Sequence, residues 1–319
     1  MSPPAKIQKV HIPEDKRVIC ISDIHGELDL FKRLLAKTNF GDDDLLILLG
    51  DLYTKGSQCH ETLQFCRSLS GRPNVLALRG NADWGTCAYL SETETRWLDE
   101  LPHIIDAGEW VFVHSGLSAR YFTKPEAELF VKYNNFMHSA PAFDKWVVVG
   151  HWPVAMYCHG IPCHNPIIDE ARRIISIDGG NVIKAEGQLN AFIIEGGQFS
   201  FVYVDNLPTY TVKRHQEKSG GRFAITWPDR FVEMAEDGER LCHVRHLATG
   251  KVIVVPKSQV WTDADGKLCC CDLATDYHLP CSAGDVVSVV EAFEDRLFVK
   301  REGVSGWIFE RGNPCSQKF

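Results

Sequence analysis

RVICISDIHG, residues 17–26, decides how the chain is read: a short β-branched apolar run stops abruptly at Asp23, and His25 follows two positions later. The same figure recurs along the chain. Residues 45–50 (LLILLG) end at Asp51, 74–80 (NVLALRG) at Asn81, 110–113 (WVFV) at His114, 146–150 (WVVVG) at His151 and 174–177 (IISI) at Asp178. Runs this short and continuously apolar read as strands buried on both faces; periodicity alone leaves buried helix segments open, but the length favours strands. Helix-period stretches lie between them, at 28–38 (LDLFKRLLAKT) and 60–69 (HETLQFCRSL). Strand and helix therefore alternate, which predicts an α/β (α+β) core. In such sheets, ligands bind outside the carboxyl ends of the strands, where separate loops converge. All six polar residues occupy that position.

A chain of 319 residues is long enough for one large core and a smaller module. Its net charge of −8 and pI near 5.9 supply no overall basic field, which argues against duplex nucleic acid as the main partner. The opening MSPPAKIQKV lacks the apolar segment of a secretory signal, and no apolar run approaches the roughly 18 residues of a membrane helix. A cytoplasmic location with no membrane partner is expected. The twelve cysteines sit mostly in apolar or strand-like surroundings and read as reduced thiols rather than a disulfide framework. After about residue 201 the texture changes, and the polar stretch 213–222 (KRHQEKSGGR) reads as a linker or exposed loop. Beyond it, strand-like runs at 252–255 and 286–290 alternate with turn signals such as Asp265-Gly266. The expected organisation is a first domain over 1–205, a linker over 206–224 and a small all-β domain over 225–319.

Two cations sharing a site need a carboxylate between them, further oxygens and imidazoles, all delivered from rigid strand ends. Asp23, His25, Asp51, Asn81, His114 and His151 meet that demand. In order, Ser22-Asp23-Ile24-His25-Gly26, Gly50-Asp51, Gly80-Asn81, His114-Ser115-Gly116-Leu117-Ser118 and Gly150-His151 resemble the motifs of the calcineurin-like metallophosphoesterases. The HSGLS and VGHWPV segments resemble the phosphoprotein phosphatase branch, which includes serine/threonine phosphatases and bacterial diadenosine tetraphosphate hydrolases. The resemblance spans residues 17–204 and implies a β-sandwich flanked by helices. It also implies a first metal site of Asp23, His25 and Asp51 and a second of Asp51, Asn81, His114 and His151, with Asp23, Asp51 and His151 as catalytic residues. A mixed nitrogen and oxygen ligand set favours manganese, iron or zinc, as two divalent or trivalent ions, over calcium or magnesium. Two such ions about 3.5 to 4 Å apart would acidify a bridging water, and the resulting hydroxide would attack phosphorus in line.

The sequence departs from that branch in one region. Its asparagine motif usually continues with a histidine that protonates the leaving group, but here it reads Gly80-Asn81-Ala82-Asp83. The aspartate that orients this histidine is replaced by Thr54, and the arginine beside it by Lys55, which keeps the charge but loses the planar two-point grip on phosphate. Substrates with good leaving groups, such as aryl phosphates or nucleotide phosphoanhydrides, are therefore expected. Lys55 and Arg79 are candidate phosphate contacts, Arg79 having a strand-end salt bridge as its alternative. Trp84 and Trp152 adjoin motifs and are candidate substrate contacts, with core packing as the alternative. Asp178-Gly179-Gly180 resembles a late motif of the branch and reads as loop-shaping rather than ligating.

Cys158-His159-Gly160-Ile161-Pro162-Cys163-His164 lacks zinc-finger spacing and reads as a flexible loop beside His151. Residues 284–309 resemble the end of a bacterial SH3-like barrel, which implies a peptide, protein or cell-wall partner for the last domain. The first functional expectation is a serine/threonine-phosphatase-like phosphatase acting on a phosphorylated small molecule, nucleotide or phosphoprotein. Its alternatives are a dinucleoside polyphosphate or nucleotide phosphoanhydride hydrolase and a catalytically weakened metal-binding scaffold.

Overall fold

The structure is a computed structural model describing residues 4–84, 90–117, 128–218 and 222–310. Ser118 of the HSGLS segment, residues 219–221 of the expected linker and residues 311–319 of the expected last domain lie outside the described residues. The chain divides into two compact units, Met1–Val154 with Asn165–Asn206, and Ala155–His164 with Leu207–Phe319.

The first unit contains β1 (Ile7–Lys9), β2 (Val18–Ile21), α1 (Leu28–Thr38), β3 (Leu45–Leu48), α2 (Cys59–Leu69), β4 (Val75–Ala77), α3 (Glu92–Glu100), β5 (Ile104–Ala107), β6 (Trp110–Val113), α4 (Glu128–Val131), α5 (Phe136–Ser139), β7 (Trp146–Val149), β8 (Ile167–Asp169), β9 (Ile174–Ser176), β10 (Leu189–Glu195) and β11 (Gln198–Val204). One sheet runs β11-β10-β2-β3-β4, the other β1-β5-β6-β7-β9-β8. Each apolar run named in the sequence becomes a strand, and the reason its residues are apolar throughout is that both its faces are covered. Ile19, Ile21, Leu46 and Leu48 point to Leu30, Phe31 and Leu34 of α1 and Leu63 of α2. Their neighbours Val18, Cys20, Leu45 and Ile47 point the other way, onto Phe112, Val148 and Ile175 of the second sheet. The result is the expected α/β (α+β) sandwich flanked by helices. Strands β2, β3 and β4 are mutually parallel, as are β6, β7 and β9. Each sheet therefore brings three carboxyl ends to one edge.

The second, smaller unit is all-β among the described residues apart from short 3₁₀ turns. Its four-stranded sheet joins β12 (Thr209–Thr211), β18 (Val286–Ala292), β19 (Arg296–Arg301) and β20 (Val304–Phe309), and a three-stranded sheet joins β13 (Val232–Glu236), β14 (Leu241–His246) and β15 (Val252–Pro256). Strands β16 (Val260–Thr262) and β17 (Leu268–Cys270) form a hairpin. Residues 158–164, read from sequence as a flexible loop, are instead tied into this unit. Cys163 bridges Val304 antiparallel, the His164 amide donates to the Gly303 carbonyl at 2.8 Å, and the Ser305 amide donates to the Pro162 carbonyl at 3.0 Å.

Candidate metal centre

At the carboxyl edge of the parallel strands the backbone turns at once, and it does so in the left-handed region. Asp23 (φ 57°), His25 (50°), Asp51 (53°) and His151 (66°) all adopt a conformation that residues with a Cβ occupy at a cost. The surroundings hold them there. The Asp23 amide donates to the Gly50 carbonyl at 3.1 Å, the His25 amide to the Asp51 carbonyl at 2.9 Å, and the Gly150 amide to the His114 carbonyl at 2.8 Å. The loops approach so closely that two positions admit only glycine. A Cβ on Gly80 would lie 2.2 Å from the Asp51 amide nitrogen, and one on Gly150 would lie 1.8 Å from Ser22 Oγ and 2.5 Å from Asp23 Oδ2.

This edge brings together all six residues named from the sequence. Ligand-capable atoms of Asp23, His25 and Asp51 lie within 4.8 Å of one another, as do those of Asp51, His114 and His151. Asp51 is common to both groups. His25 Nε2 stands 3.6 Å from Asp23 and 3.7 Å from Asp51, and His114 Nε2 stands 3.4 Å from the other Asp51 oxygen. The Asn81 amide reaches to 3.2 Å from His114 Nε2 and 2.6 Å from His151 Nδ1. Hydrogen bonding alone turns its nitrogen toward these imidazoles, whereas a cation would take its oxygen. His114 Nδ1 meets the Leu49 carbonyl at 2.7 Å, which puts a ring proton there and turns Nε2 toward Asp51; against the downward pull of burial, Asp51 and Asp23 raise this group, so without a cation Nε2 holds a proton that a metal ion would replace.

The electrostatics suit cations. Burial pushes the Asp51 carboxyl up to about 7, His114 opposing this and the Asp23 and Asp83 charges adding to it. Burial also raises Asp83, and raises Asp178 well above the ordinary carboxylate range. Burial acts upward on Asp23 as well, but His114, His25, the Ser22 hydroxyl and the His151 amide outweigh it and hold that group low. Burial pulls His25 down to about 4 and His151 down to about 3, so both are neutral, as ligation requires. Four buried carboxyl groups, Asp23, Asp51, Asp83 and Asp178, gather at this edge, an arrangement that metal ions stabilise. The donor set and geometry fit two cations.

The other sequence candidates are placed as follows. Lys55 (φ 81°) directs its charge at His25, His151 and Asp178. Arg79 is buried, pairs with Asp99 at 3.0 Å, donates to the Asp83 carbonyl at 3.3 Å and lies over the Trp84 ring at 5.0 Å. Trp84 is 38% exposed and packs on His103; Trp152 is partly buried beside His151. Asp178 accepts from the Gly180 amide at 2.7 Å, a loop-shaping bond.

Several supporting residues escaped sequence reading. Asp83 accepts from the Leu52 amide at 2.9 Å and the Gly80 amide at 3.0 Å, which clamps the Asp51 and Asn81 loops together; its place in the quoted motif was the available signal. Asn181 donates to the Ile24 carbonyl at 2.9 Å, tying the Asp178 loop to the first motif. Lys132 adds a positive charge felt by His151, and Asn134 lies 2.9 Å from that ring. Nothing in the sequence marked these two.

A family model described as calcineurin-like phosphoesterase matches residues 16–183, more than half of the chain. The chain belongs to the calcineurin-like phosphoesterase family. The chain is 32% identical over 132 residues to a symmetrical bis(5'-nucleosyl)-tetraphosphatase of Xanthomonas oryzae pv. oryzae (strain PXO99A), covering 34% of this chain and 41% of that protein. A protein of the same description from Yersinia pestis (strain Pestoides F) is 37% identical over 89 residues, covering 27% of this chain and 30% of that one. The chain thus spans less than half the length of these curated relatives. A crystal structure provisionally described as a diadenosine tetraphosphatase aligns with 63% of this chain and 99% of its own, at 21% identity and a TM-score of 0.49. Among the described residues no helix is long and apolar enough to cross a membrane.

Proposed function

We propose that the phosphoesterase holds two transition-metal ions, manganese, iron or zinc, and hydrolyses nucleotide phosphoanhydrides of the dinucleoside polyphosphate type in preference to serine or threonine phosphates. The observation that carries the two-ion reading is the sharing of Asp51 by both ligand groups. Asp23 and His25 would complete the first site, and Asn81, His114 and His151 the second. Such ions, when bound, supply an acidified water and neutralise phosphoryl charge. The chain's own residues do the rest. Lys55 and Lys132 present positive charge at the His151 side of the site, where a phosphate chain would be drawn in. Asp83 and Asn181 fix the loops that carry the ligands, and Trp84 and Trp152 would bound the cleft for the non-phosphate part of the substrate.

The preference for anhydrides rests on Ala82. Its side chain has no proton to give, and Thr54 offers no carboxylate to orient an imidazole, so the leaving group must depart unassisted by this pair. A nucleotide leaving group tolerates that; a serine alkoxide does not. The tetraphosphatase descriptions of the Xanthomonas and Yersinia relatives support the same reading. We further propose that residues 1–205, apart from Ala155–His164, carry catalysis and that the second unit forms an SH3-like module for a peptide or protein partner; the expected linker 206–224 includes β12, a strand of that unit's sheet. The meander of β18, β19 and β20, turning through Glu302 (φ 51°) and Gly303 (φ 79°), supports the SH3-like reading. Ten cysteines among the described residues are free thiols, in keeping with a reducing cytoplasmic setting.

The test is a panel of diadenosine tetraphosphate, an aryl phosphate, a cyclic nucleotide and a phosphoserine peptide, assayed with manganese-loaded protein. Diadenosine tetraphosphate and the aryl phosphate should turn over at least about 100-fold faster than the phosphopeptide. Equal or faster hydrolysis of the phosphopeptide overturns the anhydride preference.

A further inference from the structure

The two imidazoles of the second candidate site offer opposite nitrogens. His114 spends Nδ1 on the Leu49 carbonyl and turns Nε2 toward Asp51. His151 is reversed, with Nδ1 2.6 Å from the Asn81 amide and Nε2 2.9 Å from Asn134 Oδ1. The backbone of His151 is fixed, since its amide donates to Asp23 Oδ2 at 2.9 Å, but that bond leaves the ring free to rotate about its own axis. Something else must decide which nitrogen points inward. An amide oxygen accepts and cannot donate, so the Asn134 contact places the proton on Nε2 and leaves the Nδ1 lone pair facing Asn81.

Asn134 reaches the ring because its segment is anchored to the His114 loop. The Ser115 amide and hydroxyl both donate to the Phe130 carbonyl, at 3.0 and 2.9 Å, and Ser115 Oγ accepts from the Tyr133 amide at 2.7 Å. Gly116 presses on the next turn, where a Cβ would meet the Phe136 ring at 2.4 Å. The loop that supplies one imidazole thereby carries the group that orients the other. We propose that Asn134 is a positioning residue for the metal centre, selecting Nδ1 of His151 as its ligand atom. The inference rests on the two-ion reading of the site, and Asn134 acts only through His151.

Asn134 is exposed, so its replacement should leave the fold intact. The experiment compares wild type, Asn134→Ala and Asn134→Asp by two readouts: long-range proton–nitrogen correlations of the His151 ring in metal-free protein, and zinc titration of each site. Wild type should show the Nε2–H tautomer. Asn134→Ala should show mixed tautomers and bind the second ion about 10- to 100-fold more weakly, with the first ion unchanged. Asn134→Asp, which keeps an acceptor, should retain the tautomer and affinity. An Asn134→Ala protein with the wild-type tautomer and both affinities intact overturns the proposal. Wild type that takes up fewer than two zinc ions counts against the site reading instead, and in that case the tautomer of Asn134→Ala still decides the role of Asn134.

Discussion

At position 82 a methyl group stands beside the shared carboxylate, with the Ala82 amide donating to Asp51 Oδ1 at 2.7 Å and the buried Thr54 hydroxyl lacking a hydrogen-bond partner among the described residues. Restoring an imidazole and its orienting carboxylate, Ala82→His with Thr54→Asp, should raise turnover of an alkyl phosphate by about 100-fold while leaving an aryl phosphate nearly unchanged. A plot of rate against leaving-group pKa checks this, and an unaltered slope speaks against the role given to Ala82. A second prediction concerns His103, buried beneath Trp84. Burial, with Arg79 and Lys6 adding to it, pulls this group down to about 4. The unfolded chain takes up this proton near pH 6.5 and the folded chain refuses it, so stability is present above about 6.5 and is lost as pH falls toward 4, by on the order of 3 kcal/mol. Urea unfolding at pH 7 and pH 5 should show a smaller loss in His103→Asn than in wild type. Five of the six ligand candidates were legible because each closes an apolar run, and His25 because it follows Asp23 by two positions. Asn134 and Asn181 were not, since their partners lie 17 and 157 positions away in sequence.

Elements were legible where both faces are covered, as in β2 and β3, because uniform burial writes a uniformly apolar run. Less was visible where a strand is only partly buried; β11 mixes exposed and half-buried residues without a regular period and had no distinct signature. Helix α3 carried one that went unread, a capping box in which the Ser91 hydroxyl accepts from the Glu94 amide and Glu94 reaches back to the Ser91 amide. At this scale the tightest constraint is the turn from β7 into His151. Gly150→Ala drives a methyl into Ser22 and Asp23 and should cost about 2 to 3 kcal/mol, with loss of metal binding. Gly108→Ala meets nothing within 4 Å and carries only its left-handed conformation (φ 74°), so about 1 kcal/mol is expected. Thermal melts of the two variants compare them directly, and equal losses speak against the close approach at Gly150.

Over the whole molecule, the edge that matters is assembled from both sheets: β2, β3 and β4 deliver Asp23, Asp51 and Asn81, while β6 and β7 deliver His114 and His151. Sequence order hides this, because the motifs alternate with helices and give no hint which strand ends face one another. It also hides that Ala155–His164 leaves the first unit immediately after the His151 loop and joins the second, where Ile161 packs against the apolar cluster that includes Tyr210, Val287 and Leu297. In the proposed centre a single carboxylate, Asp51, belongs to both candidate ligand groups and joins the contributions of the two sheets. Elemental analysis of manganese-reconstituted wild type and Asp51→Asn tests that directly. Two ions per wild-type chain and well under one in Asp51→Asn are predicted; a variant that keeps both ions contradicts a centre built around Asp51.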